Sequence, residues 1–424
     1  MIRRLELLVL GVVLVVGAFS TGLPFLFYLL YLALIVVGGS YVVTRLGMSD
    51  LEAGYAVGQL SAHVGEQLRV TYTLRNGGRL PKPWLEVHNP TSLPVAIPGR
   101  AISLAARGER SWIAKVPLVR RGHYRIDPLH VRTGDPFGFF EVSATVGQAV
   151  TLVVYPRIDP LPLWRLPAAN LEGSHAAPER TLQTSALATT IRPYAPGDSM
   201  NRIHWKSTAR HGEIQVKEFD LEQTADVWLF LDLERTVHAG LGDDSTAELA
   251  IRAAASIADR SLAENRAVGL TAFAHRTAVL PADRGARQHL KIMQLLAAVD
   301  ADGATPLVEG LSNGLLRLRR GMTAVIISPS LDRGWVRPLT SLRARGVACV
   351  VVSLDARAAA SGGAQGRSHD PALTGGGDPD HAATAAAAAE AEAAARALRH
   401  TLAEYDLRTY WVTPDRPLSD QLVG

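Results

Sequence analysis

The chain has 424 residues, 47% of them hydrophobic, and sets 44 Lys and Arg against 40 Asp and Glu for a net charge of +4. So small a surplus excludes a globally basic nucleic-acid-binding polypeptide, and the length calls for about two to four domains. The one cysteine, Cys349, excludes an intrachain disulfide framework or a multi-thiolate metal site, and inside the apolar run Val347–Val352 it reads as a small buried hydrophobe.

After Arg3 and Arg4, the span Leu5–Val43 holds a single charge, Glu6. As one helix it would rise about 58 Å, nearly twice the roughly 30 Å of a hydrocarbon core. Ser20-Thr21-Gly22 and Pro24 supply a break. The expectation is a transmembrane helical hairpin within residues 1–47, with arms near Leu5–Phe19 and Leu23–Val43. Arg3, Arg4 and Arg45 flank it, so the positive-inside rule places both ends and the soluble domains in the cytoplasm, at the inner or plasma membrane. The rival reading is a signal peptide ending near Ala18, with the second stretch as an anchor.

Residues 51–158 change to short alternating runs: Leu68–Asn76 followed by the turn Asn76-Gly77-Gly78, then Trp84–His88, Ser111–Leu118, His123–Val131 and Val150–Tyr155. Short strands separated by Gly, Pro and Asn turns predict an all-β, immunoglobulin-like sandwich. The turn Asp135-Pro136-Phe137-Gly138 reads as redirecting the chain between two strands, with a binding loop as the alternative. Residues 159–190, rich in Pro, Ala and Ser, read as a connector.

From residue 223 to 424 strands and helices alternate. Strands are expected at Asp226–Leu233, Ala267–Ala274, Thr323–Pro329, Val347–Leu354 and Leu407–Pro414. Helices are expected at Ser245–Asn265, where Ser245 and Glu248 form a capping box, and at Ala286–Val299, Pro306–Arg319, Arg337–Gly346 and Thr384–Glu404. This alternation predicts a doubly wound, mostly parallel α/β sheet. Residues 356–381 lack an apolar period and read as a disordered insertion. Its Gly375-Gly376-Gly377 has no flanking strand and no Lys-Ser/Thr, so no phosphate-binding loop follows.

Between the two soluble regions, over 191–222, lies the most information-rich stretch. Pro196-Gly197 favours a tight turn, and Asp198 reads as the N-cap of a helix starting at Ser199. On such a helix Arg202, Lys206 and Arg210 form one cationic stripe. Five Lys or Arg face two Asp or Glu between Arg192 and Lys217. Three uses are open: a staple in which Ile203 and Trp205 pack while the cations pair with nearby carboxylates; a docking surface for an acidic partner or anionic lipid; or a Mg²⁺-dependent phosphodiesterase or nuclease using Asp198, Glu213 and Lys217. Gln215, two residues before Lys217, departs from the last pattern.

The run Arg192, Tyr194, Gly197, Asp198, Ile203, Trp205, Lys206, Ala209 and Arg210, with Lys217 and Glu218 beyond, resembles the signature of the bacterial domain-of-unknown-function 58 family. The order of apolar segments, β region with an Asp-Pro-Phe-Gly turn, signature and α/β region is similar to that family over nearly the whole chain. The resemblance implies a von Willebrand factor A-like fold for the α/β region and a MoxR-type AAA+ ATPase, together with other membrane proteins, as partners. It also implies a degenerate metal-ion-dependent adhesion site at which Mg²⁺ would be held by Asp232, Thr236 and Thr305. Glu234 stands there in place of a serine, and Ser328 and Ser330 stand where Thr-Asp-Gly is common. The leading expectation is a non-enzymatic, membrane-anchored adaptor that binds proteins and not nucleic acid. An outward-facing adhesion receptor is the alternative if the topology is reversed.

Overall fold

The computed structural model describes residues 2–166, 190–195, 198, 200–218, 226–240, 242–356 and 379–423; the side chains of 2–8, 190, 202, 217, 218, 243 and 379–388 are outside that description. Most of the expected connector and insertion therefore fall outside the described residues, as does Gly197. The chain divides into two compact units, residues 1–158 with 293–299, and residues 159–292 with 300–424.

The first unit opens with two helices, α1 (Ile2–Thr21) and α2 (Pro24–Gly47). Gly22, at φ 67, takes the left-handed turn that a residue with a Cβ disfavours, and Pro24 occupies the first turn of α2, where its missing N–H is not needed. The Phe19 and Phe27 rings meet edge to face at 5.4 Å across the turn. Helix α2, at 24 residues, is long and apolar enough to cross a membrane; in α1 the apolar stretch Val9–Thr21 is shorter.

Ten strands follow: β1 (Leu51–Val57), β2 (Ser61–His63), β3 (Gln67–Asn76), β4 (Lys82–His88), β5 (Arg100–Leu104), β6 (Glu109–Pro117), β7 (Gly122–Ile126), β8 (Leu129–Gly134), β9 (Glu141–Val146) and β10 (Val150–Tyr155). They form a β-sandwich from sheets ordered β1-β3-β6, β2-β10-β7 and β5-β4-β8-β9. Strand β3 shows the cause: Leu68, Val70, Tyr72 and Leu74 alternate inward and are buried, while the residues between them face out. They pack with Leu85, Val87, Ile102, Val116, Leu129, Val131, Leu152 and Val154 from the other strands. The run expected as one element from His123 to Val131 is two strands, because Asp127-Pro128 interrupts pairing between β7 and β8.

Helix α2 ends directly on this sandwich. Lys82, only 2% exposed, donates from Nζ to the Leu46 carbonyl at 2.6 Å and the Ser49 carbonyl at 2.7 Å. It thus satisfies carbonyls that the helix end leaves without partners. Burial lowers the Lys82 pKa, and the charge of Asp50 opposes that change.

The second unit carries a six-stranded sheet ordered β15-β14-β13-β16-β17-β18. Its strands are β13 (Val227–Asp232), β14 (Val268–Phe273), β15 (Thr277–Asp283), β16 (Thr323–Ser328), β17 (Ala348–Leu354) and β18 (Arg408–Val412). All neighbours pair in parallel except β15, an antiparallel edge that follows β14 by a tight connection. Strands β13, β14 and β16 are buried at every position, as expected of a sheet covered on both faces. Helix α4 (Thr246–Ala263) starts after Ser245, whose Oγ accepts from the Glu248 N–H at 3.2 Å, so the serine half of the expected cap is present. One face of the sheet packs Trp228, Phe230, Phe273, Ile326 and Val351 against Leu307 and Leu311 of α6 (Leu307–Gly314), Val336 and Leu339 of α7 (Val336–Ala344), and Leu398 of the helix Pro379–Glu404. The first residues expected to be connector are built into this unit: Asp159 pairs with Arg252 at 3.0 Å, and the Trp164 ring lies 4.9 Å from Tyr410. Cys349 is buried, and that burial pushes its thiol up to about 12.

Candidate functional site

Two places concentrate the residues singled out by the sequence: the C-terminal end of β13 and the segment around residues 190–218.

At the first, Asp232 ends the central strand and is fully buried. Its Oδ2 accepts from the Ser328 hydroxyl at 2.6 Å and its Oδ1 from the Glu234 N–H at 3.1 Å. The Ser328 Oγ in turn accepts from the Ser330 N–H at 2.9 Å. Burial raises the Asp232 carboxyl to about 6 against these hydrogen bonds, with the nearby charge of Glu234 adding to the rise. Glu234 accepts a short hydrogen bond from Thr236, so its carboxylate bends to its own loop. The Arg235 side chain is exposed. Thr305 is half-buried just before α6, and among the described residues no hydrogen bond joins it to Asp232, Ser328 or Ser330.

The loop before Thr305 crosses this edge closely. Gly303 donates to the Leu233 carbonyl at 3.0 Å and accepts from the Arg235 N–H at 2.9 Å. A Cβ on Gly303 would sit 2.9 Å from the Leu233 oxygen and closer still to that of Phe273, so only glycine fits. His238, which no motif marks, braces the same corner. Its Nε2 lies 3.0 Å from the Asp232 carbonyl and its Nδ1 3.0 Å from Thr246 Oγ1. A carbonyl only accepts, so Nε2 carries the proton and Nδ1 accepts from Thr246. Burial lowers the His238 pKa, in keeping with this neutral form. The one signal in the sequence was a histidine six residues beyond the end of a buried strand, which is too common to single out.

Asp232 has no exposure, and both its oxygens already hold donors from the protein. The polar atoms form a hydrogen-bonded latch between β13, β16 and the loop carrying Gly303.

In the second place, the backbone departs from the expected helix. Strands β11 (Thr190–Pro193) and β12 (Gln215–Glu218) pair antiparallel, with Arg192 opposite Val216. Between them come a 3₁₀ turn, Met200–Arg202, and the seven-residue helix α3 (Trp205–His211). Asp198 is not the cap of α3. Arg192 grips it with both guanidinium arms, each 2.8 Å from a different carboxylate oxygen, and the Ala195 N–H adds a bond at 2.9 Å. The cap of α3 is His204, whose Nδ1 accepts from the Ser207 N–H at 3.2 Å, and the helix closes at Gly212 with φ 74. Consequently Arg202 lies on the 3₁₀ turn and only Lys206 and Arg210 share a helix, so the expected three-cation stripe is broken at Ile203-His204.

Ile203 is buried and bridges to Val216. Trp205 is not packed with it: it is 70% exposed, Met200 is 71% exposed, and Tyr194, Ile191 and Ile214 are exposed too. Lys206 and Arg210 are also exposed. Asp198, which a two-carboxylate metal mechanism needs, is occupied by Arg192; Glu213 is exposed after α3, and the Lys217 side chain is outside the described residues.

These features define a class: a β-sandwich bearing an apolar N-terminal helix, joined in sequence to an α/β unit with a clamped two-stranded hairpin ahead of its first strand. Residues 190–361, from that hairpin through β17, match the family described as "Protein of unknown function DUF58". It is 25% identical over 295 residues to the uncharacterized protein YeaD of Bacillus subtilis, covering 67% of this chain and 70% of that one. It is 32% identical over 173 residues to the uncharacterized protein Rv1480 of Mycobacterium tuberculosis, where it covers 39% of this chain and 54%, about half, of the relative. Among solved structures, the CARDB domain of the PF1109 protein from Pyrococcus furiosus aligns with 25% of this chain and 92% of that domain, at 14% identity and a TM-score of 0.19.

Proposed function

We propose that the chain is a membrane-anchored, non-enzymatic scaffold whose hairpin at residues 190–218 docks a protein partner. The observation that carries this reading is Trp205, 70% exposed on α3 beside exposed Lys206. An exposed aromatic beside a cation is the composition of an interface hot spot, and an acidic partner surface complements it. The Arg192–Asp198 clamp and the Ile203–Val216 contact hold the hairpin so that α3 is presented preformed. The family resemblance makes a MoxR-type AAA+ ATPase the partner class. It also makes the α/β unit von Willebrand factor A-like, and the central placement of β13 between β14 and β16 is compatible with that. In this reading α1 and α2 form a transmembrane hairpin at the inner membrane with both units in the cytoplasm.

The test is binding of the full-length protein in detergent to a MoxR-type ATPase of the same cell, comparing wild type with Trp205→Ala and Lys206→Glu. Loss of a central aromatic hot spot costs about 2 kcal/mol, so affinity is expected to fall roughly thirtyfold. Undiminished binding by both variants removes the hairpin as the docking surface. A reporter fused at Gly424 checks the topology, and an external C-terminus would replace the cytoplasmic scaffold with the outward-facing receptor.

A further inference from the structure

The turn Asp135-Pro136-Phe137-Gly138 connects β8 to β9, and it is more than a change of direction. Asp135 is 7% exposed, and its carboxylate accepts from the Phe137 N–H at 2.9 Å and the Phe140 N–H at 2.6 Å. Burial pushes its pKa up, but these backbone donors outweigh burial and hold it below the usual carboxylate range. The tip is therefore rigid, with Gly138 at φ 75. From Pro136 to Phe140 it carries no charge. A rigid, uncharged tip does not bury its aromatics, however: Phe137 is 60% exposed and stacks on Phe139 at 5.6 Å.

The hairpin runs alongside α2. Thr133 of β8 meets Gly47 so closely that a Cβ there would lie 2.9 Å from the Thr133 methyl, and the Phe140 ring packs edge to face on Tyr41 at 5.6 Å. Gly47 to Tyr41 is about 9 Å of helix, so the hairpin climbs α2 by more than one turn. The apolar stretch Pro24–Val43 would rise about 30 Å, the thickness of a hydrocarbon core, which puts Tyr41 just inside its boundary. Beside Tyr41 the surface stays apolar, with Val42 and Val43 exposed at 52% and 45%. The Arg45 guanidinium, 5.9 Å from the Tyr41 ring, lies where lipid phosphates would be. Apart from the buried Asp135, whose carboxylate is turned to the backbone of the turn, the hairpin's acidic side chain Glu141 is paired with Arg132 at 3.2 Å, which also holds Glu86. Trp84, 38% exposed, lies under Arg132 on the adjoining strand and extends the aromatic band.

We propose that the β8–β9 tip is a second membrane contact, seating Phe137 and Phe139 in the lipid interface beside α2. This rests on the reading that α2 spans the bilayer. The occupant is lipid because the patch is continuous with the apolar side of α2 and is bounded by Arg45 at headgroup level. The tip then fixes how the sandwich stands on the membrane.

The experiment places an environment-sensitive fluorophore on Pro136→Cys, in a Cys349→Ala background, in the full-length protein reconstituted into phosphatidylcholine vesicles with acyl chains spin-labelled at shallow or deep positions. A second label at Leu34→Cys, on the exposed face of α2, reports on the span itself. The expected result is loss of fluorescence at position 136 with shallow quenchers more than with deep ones, and loss at 34 with deep quenchers. Phe137→Ser/Phe139→Ser should restore fluorescence at 136 and leave 34 unchanged. Quenching at 34 with none at 136 overturns the tip contact alone, whether the probe there is in water or covered by protein. No quenching at 34 overturns the spanning helix.

Discussion

Replacing Asp232 by Asn tests whether the latch at the end of β13 works without an ion. The carboxyl is raised from 3.8 to about 6 by burial, so between those values the folded protein holds a proton that the unfolded chain has released. Stability therefore falls as pH rises through this window, and above it the buried anion is a full penalty. At about 1.36 kcal/mol for each pH unit, a window roughly two pH units wide makes that penalty about 3 kcal/mol. Asparagine keeps the shape and has no charge to bury. Its oxygen can take the Glu234 N–H, and its amide can donate to the Ser328 Oγ. Asp232→Asn is thus expected to match wild type near pH 4 and to exceed it by up to about 3 kcal/mol at pH 7, with most of the change below pH 6. The assay is urea-dependent hydrogen exchange of the Val227–Asp232 peptide in the full-length protein, which reads the opening of this unit without the membrane helices. Taking the difference between variant and wild type cancels carboxylates elsewhere. If wild type instead gains on the variant as pH rises, with or without added Mg²⁺, the anion is favoured in the fold, and both the latch and its burial argument are wrong.

Gly303→Ala pushes a Cβ into the Leu233 and Phe273 carbonyls and should destabilise the α/β unit by about 1–3 kcal/mol, read by the same exchange of β13 and β14. An unchanged midpoint would mean that the loop can lift off the sheet edge. In the hairpin at 190–218, Arg192→Lys cannot make the two-armed contact with Asp198. A double-mutant cycle with Asp198→Asn should give a coupling of about 1 kcal/mol, reduced by the partial exposure of Arg192, in the exchange of the Tyr194 amide bonded to Ile214. Additive effects would remove the clamp.

What could be read from the linear chain was what repeats within a short window. Alternation in Gln67–Asn76, the continuous apolar runs of β13, β16 and β17, the Ser245–Glu248 cap and the break at Gly22–Pro24 are all local, and each element formed within a few residues of its expected place. Such signals depend on side-chain period and backbone propensity, which a linear sequence carries intact. The edge strand β15 and the short strands β1, β2 and β5 lacked that signal because their pairing in the sheets defines them.

The candidate sites divide in the same way. The signature residues were legible as a cluster, yet their roles were not. Whether Asp198 caps a helix or is gripped by Arg192 turns on where the chain folds back as β12, and that same fold-back buries Ile203 while leaving Trp205 in solvent. Asp232 and Ser328 are 96 residues apart and meet only because β13 and β16 are neighbours in the sheet. Burial, and with it the raised pKa of Asp232, is a property of everything packed around a group. Periodicity and motif spacing thus account for the elements and the family, because both are local. Which polar groups satisfy one another, and which aromatic rings stay outside, depends on contacts between distant segments that exist only once the chain has folded.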